Sequence, residues 1–453
     1  MVSSMPGDSN PRRGDAGGPN EAESASQLAD MLNRSCHCIN VDRNTLRRTL
    51  ETQLGESGAY SRLLETHPHL LAESPVFLSR DHVDQMAEII KSIESVVALK
   101  AYQDLVLEWM PEIGRRCHGP RGVFFGYDFH LTNNGPKLIE INTNAGGALL
   151  LLHVASAQQA CCNEVENFVV GSVGLSTLET DLIAMFREEL HLQFPGRNLR
   201  RIAIVDENPT EQFLNPELIL FKRMFEQHGI EAIVADPDEF TLRHGELHAK
   251  GQAVDLVYNR LTDFYLQSST CAVLNQAYRD EAAVFTPSPY AHALYANKRN
   301  LAVFSDSALL SRWGIDTNVV ETLCAGVPSS VLVSEENAAS LWANRRRLFF
   351  KPVWGFGSKG TYRGSKLTRR TWQSILDSNY VAQELVPPSE RLLIVDGDQR
   401  VLKLDVRCYV YNGEVQLLGA RMYRGQTTNF RTAGGGLAAV FTTPTTAGWG
   451  KKP

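Results

Sequence analysis

The sequence predicts a mixed α+β and α/β protein of more than one compact unit, and three observations carry that prediction. The chain has 453 residues, about three times a common domain, so a single hydrophobic core would not serve it. From Arg201 onward, short apolar strands alternate with a helical segment, as in a small parallel sheet. Two carboxylate-bearing strands stand near residue 130, and a long β-rich stretch runs from Val401 to Phe441.

Composition narrows the class. Hydrophobic residues make up 43% and charged residues 21%, enough apolar material for sizeable cores and too much for wholesale disorder. Lys+Arg of 45 against Asp+Glu of 51 gives −6, so no global field draws the chain to nucleic acid or anionic lipid, and neither is expected as a partner. The longest apolar stretch, Ala148 to Val154, is interrupted by His153 and falls far short of the ~20 residues that span a bilayer.

Taken in order, the chain opens on Gly, Pro, Ser, Asn and charge without the apolar core of a secretory signal. Residues 1–35 are therefore expected to be a disordered tail. Eight cysteines in a chain of this length, with Cys36 close to Cys38 and Cys161 beside Cys162, do not form a disulfide framework, and a reducing cytoplasm is expected. Cys36-His37-Cys38 has no second Cys/His pair at zinc spacing, so packing is the reading there and at Cys161-Cys162.

Val83, Met86, Ile89, Ile90, Ile93, Val96 and Val97 predict an amphipathic helix from Ser79 to about Leu107, with Ser79 and Asp81 as start signals. Gly122 to Asn142 reads as a hairpin, VFFGYDFHL and KLIEIN, turning through Asn133-Asn134-Gly135-Pro136. Strand RIAIVD, a helix from about Pro216 to His228, and strands AIVAD and DLVYNRL follow, forming a Rossmann-like unit over about 199–290. That unit contains no G-x-G-x-x-G, so dinucleotide binding is not indicated there. The last third holds strands RLFFKPV and YVAQELV around a glycine-rich segment, then the β-rich stretch, and no internal repeat is visible.

Four constellations could carry chemistry. Asp128 on one hairpin strand meets Glu140 and Asn142 on the next, and period-two alternation gives Glu140 and Asn142 one face. Such hard oxygen ligands suit Mg²⁺; a solvated hairpin face is the plain alternative. Lys351 precedes Gly355, Gly357, Ser358, Lys359 and Gly360, where glycines let backbone N–H groups approach phosphate and lysine adds charge; a flexible glycine hairpin is the alternative. Gln383, Glu384, Leu385 and Val386 offer an extended backbone to an adenine edge, with Glu390 beyond for ribose hydroxyls, although in isolation this is an ordinary strand. Asp405, Arg407, Arg421, Asn429 and Arg431 lead into Gly434-Gly435-Gly436, and arginine forks recognise carboxylate or phosphate. Arg345 to Arg347 and Arg369-Arg370 read as solvated surface, and no Gly-x-Ser-x-Gly or His-Glu-x-x-His occurs.

Together these residues resemble the ATP-grasp superfamily of carboxylate-amine ligases over roughly 123–147 and 286–440. Asp128, Glu140 and Asn142 resemble its metal motif, and Lys298 and Lys351 its two phosphate lysines. Gly355 to Gly360 resemble its mobile loop, Gln383 to Val386 with Glu390 its adenine and ribose contacts. The run LDVRCYVYNGEVQLLGAR, then NFRTAGGG, is similar to the segment that supplies a basic residue near the transferred phosphate in ribosomal-protein glutamate ligases. The metal hairpin precedes the lysines by some two hundred residues (about 160–210 from Glu140), so the order resembles the circularly permuted fold of eukaryotic glutathione synthetase and glutathionylspermidine synthetase. INTNAGG, with Asn144, and VYNRLTDFY, with Arg260 and Tyr265, resemble substrate-contacting segments there. Gly126 stands where those synthetases carry an arginine, so substrate identity does not transfer.

The resemblance implies a division into a tail (1–35), a helical segment with the metal half of the grasp (36–198), an inserted Rossmann-like substrate domain (199–290) and a nucleotide half (291–453). It implies ATP and Mg²⁺ as cofactors and an acyl phosphate that an amine converts to an amide. Arg421 is then the expected partner of oxyanion and phosphate, with Arg407 and Arg431 nearby. The substrates, an acid and an amine drawn from amino acids, small peptides or polyamines, stay unnamed. The oligomeric state stays open, a homodimer included, because many relatives are dimers. A non-catalytic ATP-binding sensor or scaffold, or a phosphotransferase that stops at carboxylate phosphorylation, is the alternative.

Overall fold

The structure, a computed structural model, describes residues 21–37, 39–159, 170–171, 177–355, 360–395 and 397–443. Helix α1 (Glu21–Ser35) corrects the expected tail, which does not reach residue 35. Its composition is polar, but Ala29 and Leu32 form a narrow stripe against Phe77. Asn33 Nδ2 donates to the Phe77 carbonyl at 2.8 Å, and the Phe77 N–H donates to Asn33 Oδ1 at 3.0 Å. Two polar bonds and a small apolar contact thus dock a segment whose composition looks disordered.

After β1 (Val76–Ser79) the expected long helix forms as two, α2 (Arg80–Val97) and α3 (Lys100–Glu108), broken at Ala98-Leu99. Ser79 Oγ accepts from the His82 N–H at 3.2 Å, the cap its position predicted. The buried stripe of α2, Ile90, Ile93 and Val96, lies on the largest sheet.

That sheet holds the hairpin β2 (Phe125–Thr132) and β3 (Gly135–Asn142). The apolar stretch after it is the buried helix α4 (Ala148–Ser156), followed by α5 (Leu178–Gln193). Next comes the Rossmann-like unit: β4 (Arg201–Val205), α6 (Asn215–Gln227), β5 (Glu231–Ala235), β6 (Leu256–Asn259) and β7 (Val284–Thr286). Its strands are parallel in the order β7-β6-β4-β5. A three-stranded antiparallel meander over 240–253 sits inside it, which the sequence reading did not foresee.

Helix α7 (Pro289–Tyr295) leads to a second, antiparallel sheet of β8 (Ser330–Leu332), β9 (Leu348–Pro352), β10 (Tyr362–Arg363) and β11 (Tyr380–Glu384), in the order β8-β11-β9-β10. Phe350, Trp372 and Ile375 close one face of it. The β-rich end of the chain supplies β12 (Ser389–Val395), β13 (Asp398–Tyr411), β14 (Glu414–Tyr423) and β15 (Gly436–Thr443). The large sheet runs β1-β15-β14-β13-β2-β3, with β12 paired to β13. The hairpin near residue 130 and the strands near residue 410 are therefore neighbours, although some 280 residues separate them. No helix of the described residues is long and apolar enough to cross a membrane, and the five described cysteines are free.

Candidate active site

The site begins with the register of the hairpin. Asp128 pairs with Glu140 and Gly126 with Asn142, but the register slips between Asp128 and Phe129, which pairs with Leu138. Ile139 is the extra residue of that bulge, and such a residue is left out of the ladder. Its carbonyl accepts instead from Lys351 Nζ at 2.8 Å and Gln383 Nε2 at 3.4 Å. One irregularity thus ties the carboxylate hairpin to β9 and β11 of the second sheet.

The neighbouring strands add an ion network. Arg407 lies opposite Asp128 and donates to both its oxygens. Arg421, opposite Asp405, donates from Nε to Asp405 Oδ1 at 2.6 Å and from Nη2 to Asp128 Oδ2 at 2.8 Å. Thr428 Oγ1 donates to the other Asp405 oxygen at 2.5 Å. The Asn142 amide nitrogen reaches Asp128 Oδ2 at 3.0 Å and Glu140 Oε1 at 3.3 Å. It therefore sits between two carboxylates, at a point a small cation could share with both, and a half-turn of the amide would present its oxygen there.

All of these side chains but Arg407 line a cavity of about 280 Å³ between the two sheets. Asp128, Glu140, Asn142, Lys298, Lys351 and Arg421 line it, together with Gln383, Glu384, Leu385, Val386 and Glu390. Burial works to raise the Glu140 carboxyl, but Lys298, Lys351 and Arg421 outweigh it and hold it down to about 2. Burial pushes Lys351 down to about 8, against the pull of Glu140. Lys298 Nζ donates to the Gly355 carbonyl at 2.5 Å. Just beyond β11, Leu385 gives its N–H to the Arg347 carbonyl, and the Val386 carbonyl accepts from His130 Nδ1 at 2.8 Å.

Several sequence-predicted residues lie elsewhere. Arg407 is buried behind Asp128 and does not line the cavity, whereas Arg431 is exposed on the β14–β15 connection. Gly360 is exposed after the loop, and Gly357 and Ser358 fall outside the described residues. Arg260 is buried, donating to the Asn144 and Ala145 carbonyls and the Tyr258 hydroxyl and pairing with Glu217 at 3.7 Å. Its hydrogen bonds thus clamp the turn after β3 to the parallel sheet. Asn144 Nδ2 donates to the Leu261 carbonyl at 3.2 Å, a bond of the same kind, and Tyr265 lines a second cavity.

His130, Lys403 and Thr428 also line the cavity and are not among the residues the sequence pointed to. His130 and Lys403 stand on strands whose alternation could have pointed inward, but nothing in the sequence gives the register that brings them there. Among the described residues no group of three or more His, Cys, Asp or Glu side chains is spaced to hold a metal. The expected metal set is accordingly two carboxylates and an amide, with Asp128 shared by two arginines.

No protein-family model matches the chain, and no curated protein does. Among solved structures it is similar to a glutathione synthetase-like effector from Globodera pallida in its apo form, at 14% identity over 88% of this chain and 97% of that one, with a TM-score of 0.53. A putative gamma-glutamylcysteine synthetase from Methylobacillus flagellatus is 11% identical over 77% of this chain and 83% of its own, with a TM-score of 0.45. At such identity the first likeness speaks for the fold alone.

Proposed function

We propose that this chain, whose fold is of the ATP-grasp type, is an ATP-dependent ligase that joins a carboxylate to an amine through an acyl phosphate. One observation carries the reading: a single cavity gathers an ionised carboxylate, two lysines, an arginine held by two aspartates, and an extended strand end with an acidic residue beyond it. The cations suit phosphates, and the strand end with Glu390 suits a nucleoside.

Lys298 and Lys351 would hold the nucleotide phosphates as point charges, with the Gly355 carbonyl bonded to Lys298. Mg²⁺, held by Glu140, Asn142 and the shared oxygen of Asp128, would supply charge neutralisation at the transferred phosphoryl group. Arg421 enters the cavity with its orientation fixed from both sides by Asp128 and Asp405, so it would meet developing negative charge without reorganising. Arg407 would act from behind by holding Asp128. The protein adds no covalent nucleophile; positioning and preorganised charge would carry the rate. The permuted order, the division into three units after the tail, and a cytoplasmic setting belong to this same proposal.

The test is phosphate release from ATP and Mg²⁺ in the presence of pools of acids and amines, with mass spectrometry of the mixtures. Release that needs both substrates and yields their condensed mass carries the proposal. Nucleotide binding without release in any pool would make the chain a sensor, and a phosphorylated acid without amide a phosphotransferase.

A further inference from the structure

We infer that a second cavity, beside the first, takes the amine substrate, and that this substrate is an aromatic amine without a carboxylate. The inference rests on the ligase reading above. The cavity encloses about 380 Å³ and is walled by Phe264, Tyr265, His292 and Trp354, with Asp263 at its edge. Gly355 borders both cavities, and its carbonyl accepts from Lys298. An amine seated in the second cavity therefore lies close to Lys298, one of the two lysines assigned to the phosphates.

The walls argue for a ring. Phe264 stacks on His292 with centroids 3.7 Å apart and planes 10° from parallel. Tyr265 stands edge-on to Trp354 at 5.7 Å and to His292 at 5.3 Å. Trp354 is 48% exposed, a large apolar face held at the mouth by a residue that follows β9 closely. Such surfaces receive another ring by offset or edge-to-face contact.

The charges argue against an acid. Among the described residues no lysine or arginine lines this cavity, and the carboxylate that does, Asp263, repels another. Asp263 accepts from the Gln267 and Ser268 N–H groups, which holds it in place. His292 offers no positive charge either: burial, with Lys298 adding to it, pushes the ring down to about 3. Its Nδ1 is hydrogen-bonded to Thr143 Oγ1 at 2.9 Å. An amino acid acceptor would leave its carboxylate without a partner in such surroundings.

In the reaction the amine nitrogen attacks the acyl carbon, a C–N bond forms, the C–O bond to phosphate breaks, and phosphate leaves with the electron pair and takes up the amine proton. The probes are 2-phenylethylamine, 3-phenylpropionate of nearly the same size, and butylamine, titrated calorimetrically into the full chain. AMPPNP with Mg²⁺ is titrated into the same samples. Phenylethylamine is expected to bind at least about tenfold more tightly than the other two, the scale of one ring's contacts. Trp354→Ala should remove most of that margin, Trp354→Phe should keep most of it, and neither should alter AMPPNP affinity. Phenylpropionate binding as tightly as the amine, or an unchanged amine affinity in Trp354→Ala, overturns the inference. Failure of AMPPNP alone instead sinks the ligase reading, since the amine titration stands without nucleotide.

Discussion

Arg407 lays Nε and Nη2 against the two carboxylate oxygens of Asp128, at 2.7 and 2.8 Å, and both side chains are buried. The space for this fork comes from Gly126. A Cβ there would stand 3.0 Å from Arg407 Nε and 2.6 Å from the Cβ of Ala145. The absence of a side chain at residue 126 is thus what lets an arginine from another strand lie against Asp128.

Gly126→Ala should therefore overpack a site that cannot yield on the Ala145 side, at a cost of about 1–3 kcal/mol. Chemical denaturation measures that cost. Turnover should fall further than stability explains, because Arg407 and with it Asp128 must move. A variant with native stability and native turnover would show that the fork tolerates displacement.

Glu140→Gln removes the anion that balances Lys298, Lys351 and Arg421. Turnover should drop on the order of 10²-fold, the size of losing one preorganised electrostatic partner. The dependence of nucleotide affinity on Mg²⁺ should weaken in the same variant. Near-native turnover would remove Glu140 from the metal set.

Thr428 fixes the second Asp405 oxygen while Arg421 holds the first. Thr428→Val leaves that buried oxygen short of a donor, a loss of about 1–3 kcal/mol. Because Asp405 also aims Arg421, kcat should fall while nucleotide affinity stays close to native, and Thr428→Ser should restore kcat. Equal loss in the Ser and Val variants would point to packing of the methyl group instead.

The legible part of this molecule is the part written in local pattern. The two hairpin strands, Lys351 at the end of an apolar strand, and the parallel sheet after Arg201 follow from alternation and spacing along one stretch of chain. The bulge at Ile139 and the diagonal from Arg421 to Asp128 depend on register between strands distant in sequence, which no single strand encodes. Arg260 misled for a related reason: an arginine at a strand end reads the same whether it faces a substrate or, as here, a buried glutamate and two carbonyls. Helix α1 was missed because its hold on the fold is polar.

That hold is centred on Arg391. Its guanidinium is fully buried and donates to the carbonyls of Leu32, Asn33, Cys36 and Pro75. Arg391→Met leaves several carbonyls at the end of α1 without donors and should cost about 3 kcal/mol or more. Limited proteolysis should then cut within 21–37 well before the rest of the chain. Glu390, the neighbouring residue on β12, lines the first cavity, so under the ligase proposal nucleotide affinity should also weaken. Protection of α1 in the variant would argue that Asn33 and the Phe77 contact suffice.

Stability should depend on pH through Asp206, at the carboxyl end of β4. Burial, against the pull of Arg260, raises its carboxyl from 3.8 to about 6. The folded state then holds this proton more tightly than the unfolded chain, so stability falls as pH rises from about 4 to about 6 and is level above that. The displacement is worth at most about 3 kcal/mol, and partial exposure brings it nearer about 1–2 kcal/mol. Asp206→Asn keeps an acceptor for the Glu207 N–H, which lies 2.9 Å from Asp206 Oδ1, and removes the titration. Denaturation midpoints should match the native protein near pH 4 and exceed it at pH 7.5. A constant difference between the two proteins across that range would mean that Asp206 is ionised throughout and that Arg260, not burial, sets its state.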